Sequence, residues 1–356
     1  MSLVARMFVL LILSCTSILA YAQSGVESLF YYVNDESSFE SLMANINRIS
    51  ILAPVAYNVD QDGVVWGSVD PRVLKLCKER GVKVMPLIDN PGFEQAMLST
   101  LLASATARSR AIESMLDECK RYSYYGIQFD FENLGINDKD NFSQFVRETA
   151  DVLHKNGFKI SAAVVHRPDK FPGPTKYFKW LYKNWRAGYD LTALGKTLDF
   201  ISIMTYSQHT RRTPPGPNAG IPWMIKNIKF FLEEVPAEKL SLGIPTTSQH
   251  WNTEQDDEKY VANARSWSRS LKYSEATALA EQFEAKINWL DDQKVAYTFF
   301  ENGGLFEYIF FEDARSFQHK LDLVKEYKLR GFSVWVIGQE DPNIWKSLES
   351  TPIRKK

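Results

Sequence analysis

Apolar, β-branched and aromatic runs alternate with helical patterns from residue 29 to residue 348. Strand-like runs occupy residues 29–33, 49–57, 82–88, 125–133, 159–165, 199–206, 240–245 and 331–337. Helical periodicity fills the stretches between most of them. Asp70-Pro71 is a helix start, with the carboxylate as cap and proline at the first helical position, and Gly81 a stop. Further helices are expected near residues 93–102, 105–121, 138–156, 192–198, 222–234, 314–328 and 342–348, with a basic, aromatic loop over 166–185. Residues 246–312 break the rhythm, with a polar loop, a short helix near 274–282 and strand-like runs at 295–300 and 306–311. Alternation of strand and helix implies a parallel sheet, and eight units favour closure. The pattern therefore predicts an α/β fold, a (β/α)8 TIM barrel with an inserted α+β subdomain between strands 7 and 8.

The fourth strand carries the most informative alternation. At a period of two, Gln128, Asp130 and Glu132 point one way and Ile127, Phe129 and Phe131 the other. Helical patterns on both sides argue for a covered parallel strand, whose polar row faces the barrel interior and ends at the C-terminal mouth. Asp130 is then buried and Glu132 emerges at the mouth. Two strand positions separate their backbones by roughly 6.5–7 Å, so each carboxyl group alters the proton affinity of the other.

Composition adds bounds. The 356 residues are 45% apolar and 24% charged with a formal net charge of −1, which gives no reason to expect a nucleic-acid partner. No Gly-rich loop follows the first strand and no P-loop occurs, so no nucleotide cofactor is expected. His166, His209 and His250 each follow a strand end, but no ligand spacing joins them and no metal is expected. At the N-terminus Arg6 precedes the apolar run 7–13 and then Ala20-Tyr21-Ala22, which predicts a signal peptide over 1–22 and a mature chain of 23–356 that is secreted or held in the periplasm or cell envelope, without an integral membrane segment. Lipidation at Cys15 is the competing reading. Cys77 and Cys119 remain, as one disulfide or as two unpaired thiols. Glu312 and Asp313 are expected to form ion pairs beneath the insertion.

The run Gly126-Ile127-Gln128-Phe129-Asp130-Phe131-Glu132-Asn133 resembles the active-site strand of the family 18 glycoside hydrolases, and is closest to their spore-cortex and cell-wall subgroup. Met204-Thr205-Tyr206, Pro214-Pro215-Gly216-Pro217, Pro222-Trp223, residues 235–239 before Leu242-Gly243-Ile244-Pro245, residues 311–316 and Trp335 match in family order. The resemblance implies hydrolysis of β-1,4-linked N-acetylglucosamine glycans, peptidoglycan or chitin, by a monomer in which the substrate's acetamido oxygen is the nucleophile. Glu132 is then the acid and base. Asp130 raises its proton affinity and holds the acetamido N–H, and Tyr206 hydrogen-bonds the acetamido oxygen. Gln128, Met204, Trp335 and Ser207 contribute to substrate binding, with Trp335 as floor. Trp251, just past the seventh strand, either lines the cleft or packs the insertion. The family usually has Asp where this chain has Ser207; either Ser207 with a water or His209 substitutes for it. That departure motivates a rival reading, a chitinase-like lectin that binds without cutting. An endo-acting enzyme on N-glycan cores is a third.

Overall fold

Alternating inward and outward side chains can be satisfied on both faces only if the sheet closes and helices cover its outside. In the structure, a computed structural model describing residues 25–256 and 265–354, eight parallel strands do this. They are β1 (Glu27–Tyr32), β2 (Ile51–Val59), β3 (Leu87–Asp89), β4 (Gly126–Asp130), β5 (Lys159–Val165), β6 (Phe200–Met204), β7 (Leu240–Pro245) and β8 (Gly331–Trp335). Each pairs with the next, and β1 pairs with both β2 and β8, which closes the barrel. Phe30, Leu52, Ile88, Ile127, Phe129, Ile201 and Phe332 pack outward against the helices. Leu29, Tyr31, Ile51, Ala53, Met85, Leu87 and Phe200 fill the interior. Gly126 begins β4 because a Cβ there would lie 1.9 Å from the Lys159 carbonyl oxygen on β5.

Local signals behave as their chemistry requires. Asp70 accepts a hydrogen bond from the Arg72 amide at 2.8 Å, and the helix Pro71–Arg80 ends at Gly81 with φ 66°. Phe129 on the outer face of β4 and Phe131 just beyond it pack ring against ring with Phe142 and Phe145 of the helix Lys139–Lys155.

The segment after β7 is more ordered than its polarity suggests. Ser248–Thr253, read as loop, is the second strand of a five-stranded antiparallel sheet whose other members are Ser266–Leu271, Leu305–Phe311, Val295–Asn302 and Asn288–Leu290. Its helix is Tyr273–Gln282. The strand was illegible because its polar residues pair on both sides and need no apolar alternation. The loop expected over 166–185 likewise contains the helix Lys176–Leu181, continued by the turn Tyr182–Arg186.

Cys77 and Cys119 are both buried and unpaired, each thiol pushed up to about 12 by burial, so the disulfide is not formed. No helix among the described residues is long and apolar enough to cross a membrane. The expected signal peptide and the Cys15 site lie outside the described residues.

Glu312 forms an ion pair with Lys320, both enclosed, and accepts a further hydrogen bond from Ser316 Oγ at 2.9 Å. Burial outweighs the lysine and raises the Glu312 carboxyl. Asp313 departs from expectation: it caps the helix Ala314–Glu326 by accepting the Ser316 N–H at 2.7 Å. Removing one member of a buried pair leaves a stranded charge. Lys320→Met is expected to cost about 3–5 kcal/mol in urea unfolding, and Glu312→Leu/Lys320→Met to recover most of it.

Candidate active site

The interior of the barrel becomes polar toward its C-terminal end. Gln128 is fully enclosed and donates through Nε2 to Ser161 Oγ at 2.8 Å and Ser202 Oγ at 3.2 Å. Ser202 in turn meets Ser333, and Ser333 meets Ser241. This layer of hydroxyls from β5 to β8 lies below the opening. Gln128 is therefore a strut of the barrel floor and not a substrate contact: it sits a full pleat below Asp130, with no exposed surface.

Above it stand three carboxyl groups. Asp130 ends β4, and Asp89, at the end of β3, lies beside it in register. Oδ1 of each is buried with no hydrogen-bond partner among the described residues. Glu132 follows two residues beyond Asp130, and its backbone is fastened by one side chain. Asn90 Oδ1 accepts the Glu132 N–H at 2.9 Å, and Asn90 Nδ2 donates to the Glu132 carbonyl at 3.0 Å. Asn133 takes φ 55°, donates to the Phe93 carbonyl at 3.0 Å, and has its own carbonyl bound by Gln95 Nε2 at 2.9 Å. The loop after β3 thus holds the acid in place. Tyr189 adds a bond to the Phe131 carbonyl at 2.6 Å.

No ion pair among the described residues includes Asp89, Asp130 or Glu132. Burial without a counter-charge favours the neutral acid. It raises Glu132 from 4.5 to about 7, with Asp89 as the second cause, and raises Asp89 itself to about 6. Asp130 rises well above the usual carboxylate range, through burial first, then Glu132 and Asp89. Asp89 thus joins Asp130 as a like-charged neighbour of Glu132, and burial with mutual repulsion raises the whole group.

The opposite wall comes from β6, β8 and β1. Tyr206 follows β6, and its hydroxyl is pushed well above its ordinary value by burial, Tyr31, Asp130 and Glu132. Trp335, ending β8, stacks on Tyr206 at 6.3 Å between centroids and 24° between planes, and meets Tyr31 at 5.5 Å and 57°. Met204 is buried on the inward face of β6 beneath Tyr206. Asp89, Asp130, Glu132, Tyr31, Tyr206 and Trp335 thus gather at one mouth.

Of the remaining sequence-predicted positions, Trp251 lies elsewhere and Ser207 directly follows Tyr206. Trp251 is wholly enclosed with Val295 and Phe310 in the core of the inserted sheet, so it packs the insertion and does not line the cleft. Ser207 is exposed at φ 61°, with its N–H donated to Asn218 Oδ1 at 2.8 Å. Asn218 Nδ2 reaches Thr247 Oγ1 at 3.2 Å, tying the loop after β6 to the loop after β7. His209 folds back onto the Pro214 carbonyl at 3.1 Å. The three strand-end histidines do not converge: His166 accepts from Arg186 at 3.0 Å, and His250 meets Glu307 at 2.5 Å inside the inserted sheet. Among the described residues no group of three or more His, Cys, Asp or Glu is arranged to hold a metal ion.

Sequence reasoning missed Asp89, Asn90 and Tyr31. The cluster Asp89-Asn90-Pro91-Gly92 reads as a turn, and its two polar side chains reveal their use only when β3 is laid beside β4.

The family model for "Glycosyl hydrolases family 18" matches residues 30–340. The Bacillus subtilis (strain 168) "Cortical fragment-lytic enzyme" is 27% identical over 305 residues, covering 83% of this chain and 66% of that protein. The crystal structure of the Bacillus cereus spore cortex-lytic enzyme SleL superposes with TM-score 0.83 at 23% identity, over 94% of this chain and 76% of that one. A chitinase from Chromobacterium violaceum ATCC 12472 superposes at 0.80 with 24% identity, over 91% and 98% respectively. At these identities the two superpositions establish the barrel fold.

The raised carboxyls set a pH dependence of stability. A folded pKa above the unfolded one stabilises fully below the unfolded value, and the contribution is lost as pH rises through the folded value. For Glu132 that window runs from 4.5 to about 7. Glu132→Gln is expected to melt a few degrees above the wild type near pH 8, equivalent to on the order of 2 kcal/mol, with the difference gone near pH 4. Calorimetry at the two pH values checks it.

Proposed function

The chain belongs to glycosyl hydrolases family 18, and from that premise we propose that it cleaves β-1,4-linked N-acetylglucosamine glycans by substrate-assisted retention. The observation that carries the reading is the carboxyl group of Glu132, its backbone held by Asn90 and its pKa raised to about 7. A general acid must be protonated near the working pH, and burial supplies that condition. Retention ordinarily uses a second carboxylate as nucleophile across the sugar. Here Asp89 and Asp130 come from β3 and β4, the same side as Glu132. That arrangement favours attack by the substrate's own acetamido oxygen.

The steps balance on that assignment. Glu132 gives its proton to the glycosidic oxygen, the anomeric C–O bond breaks, and the acetamido oxygen closes on the anomeric carbon as an oxazolinium ion. The Glu132 carboxylate then takes a proton from water, whose oxygen opens the ring with retained configuration. Tyr206 donates its hydroxyl hydrogen to the acetamido oxygen and orients it. Positive charge growing on the acetamido group favours ionisation of Asp130, which then accepts the acetamido N–H. Asp89, in register beside it, is a ready proton acceptor. Trp335 offers its ring as a floor for the sugar. The apolar run 7–13 and Ala22 support action outside the cytoplasm.

The test incubates wild type and Glu132→Gln with chitooligosaccharides and with purified peptidoglycan, following products by mass. Wild type is expected to cut at least one polymer, and Glu132→Gln to lose about 10²–10⁴-fold in kcat. Binding of both without cleavage by wild type would replace the enzyme with the lectin. The alkaline limb of kcat/KM is expected near pH 7, where Glu132 loses its proton. Asp89→Asn removes the negative neighbour and is expected to move that limb to lower pH.

A further inference from the structure

The loop after β5 is a cationic, aromatic arm beside the mouth. Arg167, Lys170, Lys176, Lys179, Lys183 and Arg186 stand against one acid, Asp169, in a chain of net charge −1. Three of these have partners. Arg167 lies 4.4 Å over the Phe230 ring, Lys170 pairs with Glu233 at 2.9 Å, and Arg186 donates to His166. Lys176, Lys179 and Lys183 are exposed and enter none of the ion pairs or side-chain hydrogen bonds among the described residues. They sit three and four residues apart along the helix Lys176–Leu181 and its continuation.

All three line one cavity of about 520 Å³ together with Trp180. Its only acid is Asp138, already bound by Ser99 Oγ at 2.6 Å. Trp180 is 48% exposed and stacks on Tyr177 at 6.2 Å and 21°. An exposed indole beside free ammonium groups suits a ring with an apolar face and an anionic substituent. The far wall is Gln95, whose Nε2 holds the carbonyl of Asn133, the residue after Glu132. The cavity is therefore joined to the loop that carries the proposed acid.

We propose that this cavity is a subsite for a carboxylate-bearing sugar of the glycan strand, with Trp180 under the ring and Lys176, Lys179 and Lys183 around the carboxylate. The inference rests on the glycan-hydrolase reading above and narrows its substrate to acidic, peptide- or lactyl-substituted N-acetylglucosamine polymers. A neutral strand would engage the indole and the neutral polar groups of the lining and leave the three ammonium charges facing water.

The test compares wild type with Lys176→Gln/Lys179→Gln/Lys183→Gln on three substrates: a neutral chitooligosaccharide, a peptidoglycan fragment with free carboxylates, and the same fragment with its carboxylates methyl-esterified. The triple variant is expected to raise KM on the acidic fragment about tenfold with kcat retained, and to leave the chitooligosaccharide unchanged. Esterification and 0.5 M salt are expected to reproduce the loss in wild type, since exposed pairs are screened. Equal effects on neutral and acidic glycans, or none on either, overturn the subsite while the hydrolase reading stands. Absence of cleavage of every glycan by wild type removes that reading itself. Retention by anionic phospholipid vesicles in preference to the acidic fragment overturns the subsite in favour of a membrane surface.

Discussion

Closing eight parallel strands into a barrel leaves every second side chain nowhere to go but the interior. The whole site follows from how that interior changes along its axis. Apolar side chains such as Leu29, Ile51 and Leu87 fill one part, and a layer of hydroxyls around Gln128 gives an intermediate level. At the C-terminal rim the same alternation delivers Asp130 into a space where no cation among the described residues pairs with it. Polar groups can be enclosed when their hydrogen bonds are made, and the hydroxyl layer makes most of them. The acid layer does not, and its proton affinities rise in consequence.

Such a layer is destabilising near neutral pH, so it persists only where the surrounding structure over-determines it. That condition is met here from the backbone outward. Asn90 occupies both polar groups of the Glu132 peptide, Gln95 takes the next carbonyl, and Tyr189 takes the one before. Behind them Phe129 and Phe131 are locked against Phe142 and Phe145. The acid's position is set by main-chain bonds and aromatic packing, which leaves its carboxyl group free to change protonation state without moving its support.

What could be read from the sequence was what repeats or what acts locally. Period-two alternation placed Gln128, Asp130 and Glu132 on one face, and Asp70-Pro71 through Gly81 marked a helix by its own cap and stop. Depth along the barrel axis was not readable, because alternation says which way a side chain points and not how far it lies from the rim. Alternation alone therefore puts Gln128 in the cleft, whereas it is enclosed in the hydroxyl layer below the acids. Cross-strand register was equally hidden: Asp89 becomes a member of the site only through its pairing with Asp130, about forty residues away in sequence. Trp251 shows the third limit, since an aromatic just beyond a strand end can turn toward a cleft or into an inserted sheet, and the core formed by Val295 and Phe310 decided it.

The inserted sheet has a role that burial of Trp251 makes clearer. With that indole turned inward, the insertion meets the barrel through other residues, among them two that reach the loop after β6 and the helix that follows it. Ser266 Oγ donates to the Thr213 carbonyl at 3.2 Å, and the Ile221 amide to the Gln293 carbonyl at 3.0 Å. Asn218, between those two anchors, holds the Ser207 amide and reaches Thr247. The position where the family usually carries an acid is thus fixed by its backbone, at a left-handed residue whose side chain faces solvent. A serine hydroxyl there is shorter than an aspartate side chain and carries no charge. In the mechanism we propose, recognition of the sugar's acetamido group rests on Asp130, which ends β4, and on Tyr206, which follows β6.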